Sequence, residues 1–247
     1  MTVAPGETAV LWHDAECGSY SADLPLWREL AAEAAGPVLD LGCGTGRVAL
    51  ELAQLGHDVT ALDIEPRFVE ELRRRARERE VPVTTIVGDA SRFHLERSFA
   101  LAIAPMQLVH IVGGSAGRAA MLTAVRRHLL PGGRLAAALA NTAATLRADN
   151  QLPPLPDVME RDGWVLSSQP LDVRLEEGGV AVDRLRQLVS PAGELSDELH
   201  TIHLDALTPD ELEEEGRAAG LRPAGCRSVA ETADHVGSTV VILESPA

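Results

Sequence analysis

The sequence predicts an α/β fold, a mostly parallel sheet interrupted by an antiparallel β insertion. Three observations carry that prediction. First, Val38, Leu39 and Leu41 make a short apolar run that enters the turn Gly42-Cys43-Gly44-Thr45-Gly46, and Val48, Ala49, Leu52, Ala53 and Leu55 then recur at helical spacing. That is a buried strand, a tight turn and an amphipathic helix. Second, Asp58 to Asp63 reads as another short strand ending in an acid. Third, residues 150–205 leave this alternation and read as strands joined by hairpin turns.

In chain order, residues 1–21 read as irregular, with Trp12, His13, Asp14 and Tyr20 placed to cover a ligand or to plug the sheet edge. Leu24, Trp27, Leu30, Ala31 and Ala34 make a helical stripe, with Ser21 or Asp23 as its cap and Pro25 in its first turn. After the first strand, glycines suit a sharp turn and let a ligand approach the backbone without Cβ atoms in the way. The following helix leaves amide N–H groups free there, so the turn favours a ligand bearing carboxylate or hydroxyl oxygens. Asp63, at the tip of the second strand, is placed to accept both hydroxyls of a ribose.

Pro66 to about Glu80 is the next helix. Its arginines alternate with glutamates at pairing distance, which reads as a solvated face rather than a basic patch. Val83–Val87 is a third strand ending in Gly88-Asp89-Ala90, where Asp89 either contacts a ligand or caps a turn. Phe99–Ala104 is a fourth, buried strand, and residues 104–110 follow at its carboxyl end. Ser115 caps a helix over 116–130, Pro131-Gly132-Gly133 stops it, and Arg134–Ala140 is the fifth strand. Prolines 153, 154 and 156 then form a linker. Residues 164–168, 173–175, 180–185 and 195–204 read as strands, with turns at 176–179 and 190–193. Thr208-Pro209-Asp210-Glu211 is a capping box opening the last helix, and 222–229 with 238–243 make a closing antiparallel pair.

Composition bounds the function. The 247 residues suffice for one substantial core, and 45% apolar content is ordinary for a globular chain. No apolar run approaches the ~20 residues of a membrane span. Met1 to Thr8 lack the regions of a signal peptide, so the expected location is cytoplasmic. The net charge of −15 argues against a chain-wide nucleic-acid footprint and against anionic membranes. Cys17, Cys43 and Cys226 are far apart, which indicates neither a zinc knuckle nor a disulfide framework.

At this point the chain resembles the class I S-adenosylmethionine-dependent methyltransferases, of a small-molecule, actinobacterial-like type. Asp40 with Gly42, Gly44 and Gly46 matches their first motif, Asp63 in Leu62-Asp63-Ile64 the second, and Asp89 the third. Leu130-Pro131-Gly132-Gly133 matches the turn before their fifth strand. The resemblance covers 36–142 well and 206–245 plausibly. It implies a single Rossmann-like domain over 1–247, with a seven-stranded, mostly parallel sheet. Within it, 1–35 would be a cofactor-covering segment and 150–205 an inserted antiparallel β lid. It implies S-adenosylmethionine as cofactor, S-adenosylhomocysteine as product, and no metal. Gly42, Gly44 and Gly46 would admit the methionine part, Asp63 would bind ribose, Ile64 would pack on adenine, and Asp89 with Ala90 would read its edge. Asp40, Tyr20, Ala104 and Met106 would complete the cofactor's surroundings.

The expected reaction is methyl transfer to an oxygen or nitrogen of a small molecule. His110 is the sharpest catalytic candidate, because an imidazole near pKa 6.5 can take a proton from an attacking hydroxyl or amine. His235, in the loop 231–237 with Glu231 and Asp234, is the second. The segment Ala104-Pro105-Met106-Gln107 lacks the Asn/Asp-Pro-Pro-aromatic signature of nucleobase methylation, so no nucleic-acid partner is expected. Two rivals remain. One is a non-catalytic S-adenosylmethionine-binding regulator or partner subunit. The other is an NAD(P)-dependent oxidoreductase, disfavoured by the glycine spacing and by a chain without lysine. The lid offers an edge for a possible homodimer.

Overall fold

The computed structural model describes residues 8–140, 155–232 and 236–247. Helix α1 (Ala9–His13) runs into a π-helical turn (Asp14–Gly18), and α2 (Leu24–Glu33) follows. Then come β1 (Val38–Leu41), α3 (Arg47–Gln54), β2 (Val59–Asp63), α4 (Pro66–Glu78), β3 (Val83–Val87) and β4 (Phe99–Ala104). The short α5 (Leu108–Ile111), α6 (Gly114–His128) and β5 (Leu129–Ala140) complete the first half. Strands β6 (Asp157–Arg161), β7 (Trp164–Glu176), β8 (Gly179–Val189) and β9 (Leu195–Asp205) form the insertion. Helix α7 (Pro209–Ala218), β10 (Arg222–Val229) and β11 (Ser238–Glu244) close the chain.

The main sheet has seven strands in the order β10-β11-β5-β4-β1-β2-β3. Strands β1 to β5 run parallel, and β11 joins β5 antiparallel with β10 outside it. Strand β1 lies between β4 and β2, so strand order reverses there and a crevice opens beyond its carboxyl end. Both faces are covered. Trp27, Leu30, Leu50, Leu52 and Leu72 of α2–α4 fill one side, and Met121, Leu122, Val125 and Leu212 of α6 and α7 the other. Burial on both faces explains why β1 and β4 read as near-continuous apolar runs. The edge strand β3 carries Thr84 and Thr85 instead.

The insertion is a separate antiparallel meander, β6-β7-β8-β9. Leu166 and Leu188 of its inner face pack on Trp12 and Ala15, so the N-terminal segment lies between lid and body. Ser168 and Arg186 bond the carboxylate of Glu16 on the same face, at 2.7 Å each.

Several expectations needed correction. Residues 9–18 are helical rather than irregular, because Trp12 and Ala15 are buried against the lid. Asp23 precedes α2 without capping it; its carboxylate instead takes Trp27 Nε1–H at 2.8 Å and both Nη groups of Arg47. Helix α6 starts at Gly114 behind a left-handed Gly113, not behind Ser115. The Pro131-Gly132-Gly133 stretch lies within the span of β5 as an irregular entry, with Gly132 N–H bonded to Ser245 O at 3.0 Å. Strand β6 was missed, and 164–176 is one long strand bent between Pro170 and Asp172. The linker expected around Pro153 and Pro154 lies outside the described residues.

The α4 charge face is only partly solvated. Arg73, Arg74 and Arg77 pair with neighbouring glutamates on the surface. Arg75 reaches Asp14, Thr45 and Glu71, and Arg161 of the lid joins Asp14 and Glu71. No described helix is long and apolar enough to cross a membrane.

Candidate functional site

The glycine-rich turn is built as expected but its free space is used differently. Gly42, Gly44 and Gly46 all have left-handed φ, at 62°, 53° and 95°. A Cβ on Gly44 would lie 2.2 Å from His13 Nε2, and one on Gly46 would lie 2.2 Å from Leu72 Cδ1. The space next to Gly42 holds Leu108. The missing Cβ atoms therefore let α1, α4 and α5 close onto the turn, where the sequence suggested room for a ligand. The ring of His13 leans on Phe68 with 4.5 Å between centroids. Thr45 Oγ1 donates to Asp14 Oδ1 at 2.7 Å and accepts from Arg75 Nη1 at 3.0 Å.

Asp63 ends β2 with its carboxylate held by backbone. Gly44 N–H donates to Oδ2 at 2.8 Å and Glu65 N–H to Oδ1 at 2.9 Å. These bonds fix the acid beside the glycine turn, and each oxygen keeps a second lone pair. Beyond it Ile64 is 67% exposed and Val87 47%, two apolar side chains standing open at the end of neighbouring strands. Asp89 caps the turn after β3, accepting from Ser91 N–H at 2.8 Å and Ser91 Oγ–H at 2.7 Å, while Arg92 pairs with its other oxygen. The hydroxyl and amide of Ser91 hold its carboxyl below the usual range. Ala90 is buried next to it.

Asp40 is the electrostatic anomaly. It is 1% exposed, and neither carboxylate oxygen has a hydrogen-bond partner among the described residues. Burial, with Asp63 nearby, pushes its pKa up to about 8 despite the opposing charge of Arg47 and the backbone N–H of Ala49, which faces it outside good hydrogen-bond geometry. An orphaned buried carboxyl calls for an explanation, and a cationic ligand group supplies one. Next to it Cys43 is buried, its thiol pKa raised by burial and by Asp40, so it is an inert small residue.

At the carboxyl end of β4, Ala104 is fully buried and Met106 is left-handed at φ 56°. A non-glycine residue there stores backbone strain, a feature that clusters at functional sites. Tyr20 is 9% exposed under the guanidinium of Arg47, 5.2 Å from its ring centroid, and its hydroxyl bonds Ser238.

His110 departs from its expected role. It is 1% exposed, its Nδ1 lies 2.8 Å from Asp205 O, and its Nε2 accepts from Ala140 N–H at 3.1 Å. Both ring nitrogens are engaged, so neither is available to take a proton from an acceptor. His235 lies outside the described residues. No group of three or more His, Cys, Asp or Glu able to hold a metal occurs among the described residues. Sequence reasoning missed Thr45, Arg75 and Arg161 as a unit. Their only signal was alternating charge, which looks the same on a solvated helix.

The seven-stranded sheet with its inserted antiparallel strands is the fold of the class I methyltransferases. Residues 38–133 match the family described as a methyltransferase domain. The S-adenosyl-L-methionine-dependent Diels-Alderase iccD of Talaromyces variabilis is 32% identical over 152 residues, 60% of this chain and 51% of that protein. The chain thus spans about half the length of the curated relatives it matches. Among solved structures, the sugar N-methyltransferase KedS8 of Streptoalloteichus sp ATCC 53650 superposes with a TM-score of 0.76 at 18% identity, covering 100% of this chain and 96% of that one. The glycopeptide N-methyltransferase MtfA complexed with S-adenosylhomocysteine gives 0.63 at 22% identity, with 99% of both chains covered.

The residues present fit that cofactor. Asp40 offers an unpaired carboxyl for its ammonium, Asp63 has lone pairs for the ribose hydroxyls, and Ile64 and Val87 offer apolar surface for adenine.

Proposed function

We propose that this chain transfers a methyl group from S-adenosylmethionine to an oxygen or nitrogen nucleophile of a small molecule. The observation that carries the reading is Asp40, a buried carboxyl without a partner at the turn where the cofactor's ammonium would lie. When bound, the cofactor supplies an electrophilic methyl group on a sulfonium centre. The protein's own contribution is alignment of donor and acceptor in line and exclusion of water. Asp40 and Asp63 anchor the two ends of the cofactor, and Ile64, Asp89 and Ala90 select adenine. Tyr20, Ala104 and Met106 border the reacting end. His235, from the loop between β10 and β11, is the group assigned to orient or deprotonate the acceptor, since His110 has no free nitrogen.

In this reading the chain is one domain, with 1–35 covering the cofactor and 150–205 acting as the lid. A lid over the crevice suits a small acceptor, the kind named for the sugar N-methyltransferase that shares the fold. The net charge of −15 supports the exclusion of nucleic acid, and the reading places the protein in the cytoplasm without a metal. Leu195 and Leu199, 62% and 72% exposed on the lid, are the apolar residues that a homodimer would cover.

The test is calorimetry on dialysed protein with S-adenosylmethionine, S-adenosylhomocysteine and NAD, repeated with Asp63→Ala. We expect binding of the two sulfur ligands only, weakened at least tenfold in the variant. Binding of NAD alone, or unchanged affinity in Asp63→Ala, overturns the assignment.

A second reading is that the site holds S-adenosylmethionine without spending its methyl group, as a regulator, a partner subunit or an enzyme of other chemistry. Similarity to an S-adenosyl-L-methionine-dependent Diels-Alderase favours it. A screen of amino- and hydroxyl-bearing acceptors separates the two, because only the first reading forms S-adenosylhomocysteine.

A further inference from the structure

The end of a core strand and the exit of the lid meet at one side chain. Ala140 ends β5 in the main sheet, and Asp205 ends β9, the last strand of the lid. The imidazole of His110 stands between them. Its Nε2 accepts the N–H of Ala140 at 3.1 Å, and its Nδ1–H donates to the carbonyl of Asp205 at 2.8 Å. These two bonds join positions 65 residues apart, by difference of the two residue numbers, through a residue that belongs to neither strand. His110 is itself carried on α5, which follows the strained Met106 at the end of β4 and packs against β5 and β9.

We propose that His110 is a positioning residue: in its neutral form it straps the exit of the lid to the end of core strand β5, and its protonation loosens that exit. The chemistry is set by donor and acceptor count. Neutral imidazole has one donor and one acceptor, the pair this site requires. The imidazolium has two donors, so its second N–H would face the N–H of Ala140 in a buried place. The charged groups around it come from three elements. Arg118 of α6 donates Nη1–H to Asp205 Oδ2 at 2.9 Å and makes two bonds to Glu215 of α7, at 2.8 and 2.9 Å. Arg118 thus ties the exit to α7, while His110 ties it to β5. Burial, helped by the charge of Arg118 and opposed by Asp205, holds the imidazole pKa below its usual value. The strap is therefore closed at neutral pH and opens on acidification.

The test is hydrogen–deuterium exchange on the full chain without ligand, so that its outcome does not depend on the methyl acceptor or on the functional reading above. His110→Phe removes both bonds, and His110→Gln keeps an acceptor and a donor but cannot titrate. At pH 7.5 we expect the lid-exit amides of residues 203–208 to exchange at least tenfold faster in His110→Phe. Those of β1 and β4 should stay within twofold of wild type, with His110→Gln lying closer to wild type. Between pH 8 and pH 5, the ratio of lid-exit exchange in wild type to that in His110→Gln at matched pH should rise. Matching pH cancels the intrinsic exchange rate and the titration of Asp205 and Glu215. Equal acceleration of lid exit and core, or no acceleration, overturns the proposal. So does a ratio that stays flat with pH, which decides the matter even if His110→Phe does not fold.

Discussion

In the proposed reading, Asp40 would couple folding to ligand binding through one proton. Its pKa of about 8 in the folded chain exceeds the ~3.9 of an unfolded aspartate. Between those values the native state binds more protons, so this group's stabilising share is present below pH ~4 and is lost as pH rises through about 8. Asp40→Asn should therefore melt higher than wild type at pH 8.5 without ligand, and the advantage should shrink toward pH 5. A cofactor ammonium beside Asp40, as proposed, would reverse the preference by stabilising the carboxylate. Calorimetry of S-adenosylhomocysteine binding at pH 7 in two buffers of different ionisation enthalpy should show proton release for wild type and none for Asp40→Asn. The variant should bind at least tenfold more weakly, matching the roughly 1.5–3 kcal/mol of a charged hydrogen bond. Equal proton release in both proteins would place the titrating group elsewhere.

At the scale of the element, α7 shows how a local signal supports a distant contact. Thr208 accepts from Glu211 N–H at 3.3 Å while Glu211 accepts from Thr208 N–H at 2.8 Å, with Pro209 in the first turn. The helix so started carries Glu215 to Arg118, which in turn holds Asp205. Thr208→Ala should cost about 1 kcal/mol. For a chain of this length that lowers Tm by roughly 2–4 °C in calorimetry. A shift much larger than that would mean that the lid exit fails together with the cap.

For the whole molecule, acid stability is set by carboxylates at the joints. Asp14 and Glu16 are buried, which alone would raise them. Bonds from His13, Arg75 and Thr45 to the first, and from Arg186 and Ser168 to the second, lower both instead. Glu71 is lowered to about 2, by Arg74 foremost. Depressed carboxylates give stability that is full above the unfolded pKa near ~4 and is lost as pH falls through the folded values. Asp14 and Glu16 tie the N-terminal segment to α4 and to the lid, and Glu71 ties α4 to the lid. Acid should loosen that joint before the central sheet. Trp12 reports the joint and Trp27 the core, both buried. In single-tryptophan variants, the Trp12 emission should shift red at a higher pH than that of Trp27. Coincident transitions would show one cooperative unit instead.

The central sheet, the order of its elements and the acids at the strand tips are legible in the amino-acid pattern. Those signals are local: apolar runs, glycine spacing, a capping box and carboxylates that end strands. The pattern also placed the insertion as an antiparallel lid. Only the tertiary structure decided what those residues touch. Gly44 and Gly46 make room for His13 and Leu72, because helix packing on the turn comes from segments far apart in the chain. Residues 9–18 become helical because Leu166 and Leu188 bury Trp12 across more than 150 residues, a contact that periodicity cannot register. Arg75 leaves the solvated face of α4 for the same reason. His110 could be singled out by residue type, yet its use as a bridge depends on Ala140 and Asp205 arriving on either side of one ring. Hydrogen-bond partners across a fold are set by chain crossings, and a linear pattern does not encode them.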